Sequence, residues 1–404
     1  MSTGMLRSAL ILGLLAAVGP FAIDMYLPAL PTIGADLGAS VAATQMTLTA
    51  FFIAFGVAQL VYGPLADQVG RKPPLYVGLA IFVIGSLGCA IAPSIGWLMA
   101  LRFLQGIGAA VVMVVPRAII RDLHTGTAAT RLMAMIMLVI SVSPMLAPLA
   151  GSGLIALTGW RGIFAALCIA GALSLLITGT MLPETLKRQN RVPLNIVNLM
   201  RGAAVLFRDP LFMGLTFIGG FGMASFFVFI ASASFVYTGQ FGLTPTGFSL
   251  AFAINAIGFF AASQFAASLG ERFGMRRVVA GGVTAFLLFT VTLVVIELAG
   301  YASLPVIVAF LFCANAGLGL VIPTTMVMAL DPHGEIAGLA SSLGGTLQML
   351  AGGVAIVIAS PFFNGTALPM VLAIALCAVA AFILTRLVLS GSLAADKSGA
   401  SAHS

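Results

Sequence analysis

Charge is scarce in this chain. Asp, Glu, Lys and Arg make up 7% of its 404 residues, where a soluble domain carries about 25%, and 61% of the residues are hydrophobic. At a mean hydropathy of +1.16 there is more apolar surface than a soluble globule can hide, so the solvent is a bilayer. Histidine is scarcer still. His124, His333 and His403 stand far apart and form no zinc-ligand cluster, and no metal site is expected. Cys89, Cys168, Cys313 and Cys377 sit singly in apolar runs without a C-x-x-C pair, which excludes a disulfide framework and leaves them as small packing residues. There is no G-x-x-x-x-G-K-S/T, so ATP is not hydrolysed through a P-loop. No catalytic constellation and no cofactor are expected, and the chain is not read as an enzyme. The 18 basic residues outnumber the 11 acidic ones, but they are scattered through short loops and not gathered on one face, which excludes nucleic acid as a partner.

What the chain has instead is long apolar runs. Each is about twenty residues or more, enough to cross a bilayer as a helix and about twice what a barrel strand needs. The expected spans are 8 to 30, 43 to 65, 74 to 93, 97 to 120, 131 to 157 and 162 to 182, then 211 to 237, 246 to 269, 277 to 297, 303 to 328, 335 to 360 and 366 to 390. The first run continues through Asp24 with no cleavage site and is read as a retained helix. With twelve spans, Arg7, Arg71, Lys72, Arg121, Arg131, Lys187, Arg188, Arg191, Arg201, Arg208, Arg272, Arg276, Arg277, Arg386 and Lys397 fall on one side and only Arg161 falls in a loop on the other. The positive-inside rule then puts both termini in the cytoplasm.

The longest polar interval, 183–210, lies near the midpoint and reads as a cytoplasmic linker between a bundle at 1–182 and one at 211–390, with 391–404 an unstructured tail. Gly63-Pro-Leu-Ala-Asp67-Gln-Val-Gly70-Arg71-Lys72 finds a degraded copy at Ala267-Ser-Leu-Gly-Glu271-Arg-Phe-Gly274-Met-Arg276, offset by 204 residues and so by about half the chain. A two-fold internal repeat follows. The expected fold is an all-α membrane protein of twelve transmembrane helices in two pseudo-symmetric six-helix bundles.

Polar residues inside such spans are costly, and they mark function. Asp24 is the only acidic residue in the body of the first six spans, a candidate to bind and release a proton or to meet a ligand. Arg102 is its expected cationic partner, with Gln105 and Gly106 on the same helix face. In the Gly63–Lys72 loop the glycines let two helix ends approach, while Asp67 and Arg71 form a candidate latch with Gly63 and Gly70. Pro144 and Pro148, four residues apart beside Gly151, predict a kinked, closely packed fifth span. Tyr26, Met137, Phe226, Phe229, Asn255 and Asn315 join Asp24 and Arg102 as candidate ligand contacts, drawn from an aromatic-rich seventh span, a methionine-bearing fifth and isolated polar groups in the second half. Helix packing accounts for several of these equally well.

The Gly63–Lys72 loop resembles the G-x-L-A-D-x-x-G-R-K signature of major facilitator transporters. Arg102-Phe-Leu-Gln105-Gly106-Ile-Gly108-Ala-Ala110 resembles their fourth-helix motif, in which the arginine is associated with proton coupling. Ser143-Pro144 through Gly151-Ser152 partly matches their antiporter motif, with Ser143, Ala147 and Ser152 in place of glycines. Together with Asp24-Met-Tyr-Leu-Pro-Ala-Leu-Pro31, Arg117-Ala-Ile-Ile-Arg121-Asp122, Gly159-Trp-Arg161 and Leu182-Pro-Glu184-Thr, these motifs are similar to the Bcr/CflA drug-efflux family. The resemblance implies proton-coupled efflux of small amphipathic drugs, phenicol- or bicyclomycin-like, by a monomer in the bacterial inner membrane, with protons, drug and lipid as its partners. An exporter of a small metabolite and a non-transporting receptor or scaffold are the rival readings.

Overall fold

The computed structural model describes residues 3–124, 126–191 and 195–400, and every regular element among them is helical. The helices are α1 (Thr3–Asp24), α2 (Leu30–Asp36), α3 (Val41–Val69), α4 (Lys72–Ala90), α5 (Ile95–Leu123), α6 (Gly126–Thr158) and α7 (Trp160–Thr180). They continue as α8 (Ile196–Arg208), α9 (Pro210–Phe235), α10 (Pro245–Phe273), α11 (Met275–Leu298), α12 (Leu304–Leu330), α13 (Ala337–Ala359) and α14 (Ala367–Ala400). Local sequence sets several starts. Ser40 accepts a hydrogen bond from the Ala43 amide and Ser94 one from the Trp97 amide, each supplying an acceptor to a free donor of the first turn.

Among the described residues, eleven stretches are long and apolar enough to cross a membrane. The longest, Leu304–Phe362, has 59 residues and breaks at Asp331–Ile336. At 1.5 Å per residue that is about 90 Å of helix, too much for one passage of a core about 30 Å thick, so it makes two crossings and brings the total to twelve. Prolines inside α1, α3, α5, α6 and α12 are tolerated because neighbouring helices shield the freed carbonyls.

The chain forms two compact units. One comprises Met1–Asn195 with Ser234–Ala253, the other Ile196–Ala233 with Ile254–Ser404. Within the first, Ser249 donates to the carbonyl of Pro148 at 2.9 Å, tying the start of α10 to the proline-bearing stretch of α6. The 204-residue repeat is written into both units. Gly70 and Gly274 end the matching helices with φ of 104° and 88°, conformations open to glycine. Eight residues on, Gly78 lies against Val111 of α5 and Gly282 against Val321 of α12, so closely that a Cβ at either position would stand 2.6 or 2.7 Å from the valine. The buried Phe82 and Phe286 stand at the same offset and face Gly108 and Gly317.

Two features differ from the expected organisation. The 183–210 interval contains the helix α8, and α14 continues to Ala400 where an unstructured tail was expected from 391. Leu393, Ala394, Ala395 and Lys397 are good helix formers, which accounts for the extension. Residues 401–404 lie outside the described residues.

Candidate functional site

The first unit holds a buried polar centre at a break in its first span. α1 ends at Asp24, and the chain turns through Met25 and Tyr26 before α2. Asp24 is 5% exposed, and among the described residues its carboxylate has neither a hydrogen-bond nor an ion-pair partner. Gly151 of α6 packs directly on the carbonyl of Met25, so a side chain there would push into the break. The proline-flanked glycine of α6 is thus a seat for the discontinuity in the first span, a contact its sequence pattern did not reveal.

Arg102 is wholly buried nearby, and it is not Asp24's ion-pair partner. Its Nη1 donates to the Ala22 carbonyl at 3.0 Å and to Gln105 Oε1 at 2.6 Å, while Nε and Nη2 have no partner. Its guanidinium carbon lies 4.4 Å from the Tyr26 ring centre and 4.3 Å from that of Phe51, with Phe164 at 6.0 Å. The pairing expected from sequence is replaced by an aromatic enclosure, because ring faces can carry part of a cation's solvation without a counter-ion. Gln105 passes the order on by donating to Ser86 at 2.8 Å, and Ser86 donates to the Phe82 carbonyl. Tyr26 shares a 2.7 Å hydrogen bond with Thr47. Gly106 lets the Phe51 backbone approach, which brings α3 against α5 beside the arginine.

A second polar centre surrounds the α3–α4 loop. Arg71 bonds Asp67 through Nη1 at 2.5 Å and grips Asp122 at the end of α5 with two bonds, Nε at 2.7 Å and Nη2 at 3.0 Å. Thr185 donates to the same Asp122 carboxylate. Glu184 accepts from the amides of Arg71, Lys72 and Leu186 at 2.9, 3.1 and 3.0 Å, a carboxylate at the positive end of α4. Burial works against the Arg71 charge, but the two aspartates outweigh it and hold its proton more tightly than usual. Gly70 leaves room for this, since a Cβ there would stand 2.7 Å from Glu184 Oε2. Gly63 faces Val114 more loosely. Asp67, Gly70 and Arg71 are thus brought together as expected, while Asp122, Glu184 and Thr185 were missed as members of the cluster. The signal for Asp122 and Glu184 was an acid at or shortly after a helix end in a chain with few acids.

On the opposite loops of the first unit, Asp36 accepts from the Trp160 indole at 2.9 Å and from Arg161 at 2.7 Å, and Arg161 also donates to the Ala92 carbonyl. One arginine joins three loops. Met137 is 38% exposed on α6.

The second unit keeps Asn255, Asn315 and Gln348 buried. Phe226 stacks on Phe259 at 6.2 Å, and Phe229 is buried. Phe217 and Phe221, by contrast, line an apolar groove of about 700 Å³ with Val228 of α9, Val354 of α13 and Leu372 and Leu376 of α14. The aromatic residues of the seventh span offered a ligand wall by sequence, with Phe226 and Phe229 as the candidate contacts; in this unit Phe217 and Phe221 of the same helix line the groove.

Twelve crossings, a repeat of half the chain length and a charged loop locked between two helices define a membrane transporter and not an enzyme. Residues 12–356 match the family model described as Major Facilitator Superfamily, and the chain belongs to that family. It is 35% identical over 356 residues to the uncharacterized MFS-type transporter YdgK of Bacillus subtilis, covering 86% of this chain and 87% of that one. It is 29% identical to the bicyclomycin resistance protein homolog of Haemophilus influenzae over 92% of this chain and 93% of the other. The chloramphenicol resistance protein of Pseudomonas aeruginosa is 30% identical over 89% and 84%. Among solved structures, the D-xylose-proton symporter superposes with a TM-score of 0.71 at 18% identity, over 94% of this chain and 96% of that one, a likeness of fold.

Proposed function

We infer that this transporter exports small amphipathic compounds from the cytoplasm across a bacterial inner membrane in exchange for protons. The observation that carries the reading is Asp24, a buried carboxylic acid without a counter-charge at a break in the first span. A carboxylate left alone in such a place is costly, whereas the protonated acid is tolerated, so the group's protonation is tied to whether water reaches it. Arg102 acts on the same point from the other side. By bonding the Ala22 carbonyl, two residues before Asp24, it fixes the last turn of α1 and so the direction in which the acid leaves it. The names of the relatives, which include bicyclomycin, chloramphenicol and multidrug resistance proteins, support drugs as the cargo.

The Asp67, Arg71 and Asp122 cluster serves as the latch that holds α3, α4 and α5 together at the cytoplasmic face between cycles. Alternating access then exposes the cargo to the two sides of the membrane in turn, and the sequence has no P-loop through which ATP could drive it. Candidate drug contacts remain Tyr26, Met137, Phe226, Phe229, Asn255 and Asn315.

The test is a panel of phenicols and bicyclomycin in an efflux-deficient host, followed by inverted vesicles with an imposed pH gradient. The wild type is expected to raise resistance and to accumulate drug when the vesicle interior is acid. Asp24→Asn, nearly the same shape but unable to titrate, is expected to insert normally and to lose gradient-driven transport. Full transport by that variant refutes the proton role. Export of none of the drugs refutes the cargo and leaves a metabolite exporter as the reading to test.

A further inference from the structure

The linker helix α8 has no place in the transport cycle just described, yet its surface is unlike that of any water-facing helix. Ile196 is 62% exposed, Val197 56%, Met200 69% and Phe207 50%. Ile196, Met200, Ala204 and Phe207 recur at steps of four, four and three, which puts them on one face of a helix. That face is not the one turned to the protein. Leu206 is fully buried, and Gly202 lies against Leu339 of α13, so close that a Cβ would stand 2.7 Å from that side chain. The helix therefore has two apolar sides, one packed on the second unit and one with nothing from that unit over it.

Its position says what covers the second side. Thirteen residues make about 20 Å of helix, too short to cross a bilayer core of about 30 Å. It ends one residue before the span that starts at Pro210, and it leans on Leu339, three residues into the helix that starts at Ala337. Asp209 fixes the corner between α8 and α9 by accepting from the Leu211 amide at 2.8 Å and meeting His333 Nε2 at 2.7 Å. A helix held at the ends of spanning helices lies at the level of lipid headgroups. Arg201 and Arg208 border the exposed stripe, each directly after a stripe residue, Met200 and Phe207, and seven residues apart. Both are exposed, and neither forms an ion pair among the described residues.

We propose that α8 is an interfacial membrane helix whose Ile196, Met200 and Phe207 side chains enter the acyl boundary and whose Arg201 and Arg208 bind the phosphates of anionic phospholipids. An apolar stripe flanked by guanidinium groups matches the two layers of a bilayer surface, hydrocarbon and negative headgroup, in the order in which the helix presents them. A protein partner is the competing occupant, and it predicts a stripe open to water when only lipid is present.

The test uses the full chain with Cys89, Cys168, Cys313 and Cys377 replaced by Ala, carrying a spin label at Met200→Cys or Asn198→Cys in proteoliposomes of phosphatidylcholine with or without phosphatidylglycerol. The label at 200 is expected to be relaxed more by oxygen than by a water-soluble nickel chelate, and the label at 198, on the other side of the helix, shows the reverse. Equal nickel access at both positions overturns the proposal and favours the protein partner. In the second arm, Arg201→Gln with Arg208→Gln is expected to cut the enrichment of phosphatidylglycerol around the protein by about 25-fold, since each basic residue near an anionic surface contributes about fivefold. Undiminished enrichment in that variant, folded by size-exclusion chromatography, overturns the headgroup assignment. Both residues are exposed, so the substitutions test the surface and not the core.

Discussion

A double-mutant cycle on Asp24 and Arg102 separates two ways of building the buried centre. Arg102→Met removes the guanidinium while keeping the length of the stem. It leaves the Ala22 carbonyl and Gln105 Oε1 without their donor, each worth about 1 to 3 kcal/mol, and ends the contacts with Tyr26 and Phe51, worth about 2 kcal/mol when desolvated. Against this, an unpaired buried charge is removed, and that relief is several kcal/mol. The single variant is therefore expected to be destabilised by only about 2 kcal/mol. Asp24→Asn breaks no bond in the structure and should change stability by less than about 1 kcal/mol. Because the two side chains form no bond to each other and meet only through the last turn of α1, the double variant should equal the sum of the singles within about 1 kcal/mol. Unfolding of the purified protein in mixed micelles, followed by tryptophan emission and denaturant titration, measures all three. A coupling above about 1.5 kcal/mol, as close charge pairs show, would mean that Asp24 and Arg102 are an ion pair after all and would refute the aromatic enclosure as the arginine's compensation.

The remaining predictions concern the loop clusters. Asp122→Asn leaves Arg71 half-compensated in a mostly buried position and is expected to cost about 3 kcal/mol, read as a lower unfolding midpoint, with Arg71→Lys failing to restore the two-bond grip in an otherwise unaltered chain. Gly70→Ala sets a side chain at φ 104° and against Glu184, and a loss of about 1 to 3 kcal/mol is expected in the same titration. For Asp209, burial opposes the charge, but the bond to His333 and two backbone amides outweigh it and hold the carboxyl below its ordinary value. The stability it contributes is thus present above about pH 4, where the unfolded acid ionises, and is lost as pH falls through the lower folded value. Thermal melts stepped down in pH should show that loss in the wild type and a flatter profile in Asp209→Asn; identical profiles would contradict the assignment.

How much of this was legible beforehand depends on what each signal measures. Span number and the half-chain repeat were readable because they rest on long apolar runs and on glycines whose backbone or packing admits no other residue, as at Gly70, Gly274, Gly78 and Gly282. The charged cluster around Arg71 was half readable. Asp67 and Arg71 lie four residues apart and declare themselves, but Asp122 and Glu184 reach them across 51 and 113 residues, and nothing local tells an acid at a helix end which loop it will meet. The α8 pattern was present in the letters, Ile196, Leu199, Met200, Ala203, Leu206 and Phe207, at helical spacing, and was hidden by the arginines that made the interval read as a polar linker.

The Asp24 and Arg102 pair shows the deeper limit. One acid and one base in neighbouring spans suggest an ion pair because charge is the only property that a sequence lets one match at a distance. The structure uses other properties. The arginine is planar, so it fits between Tyr26 and Phe51; it has several donors, so it can spend one nitrogen on the Ala22 carbonyl and on Gln105 while remaining cationic. Neither requirement involves an acid. The consequence bears on the proposed exchange, which needs an acid left without a fixed counter-charge, and Asp24 is such an acid among the described residues.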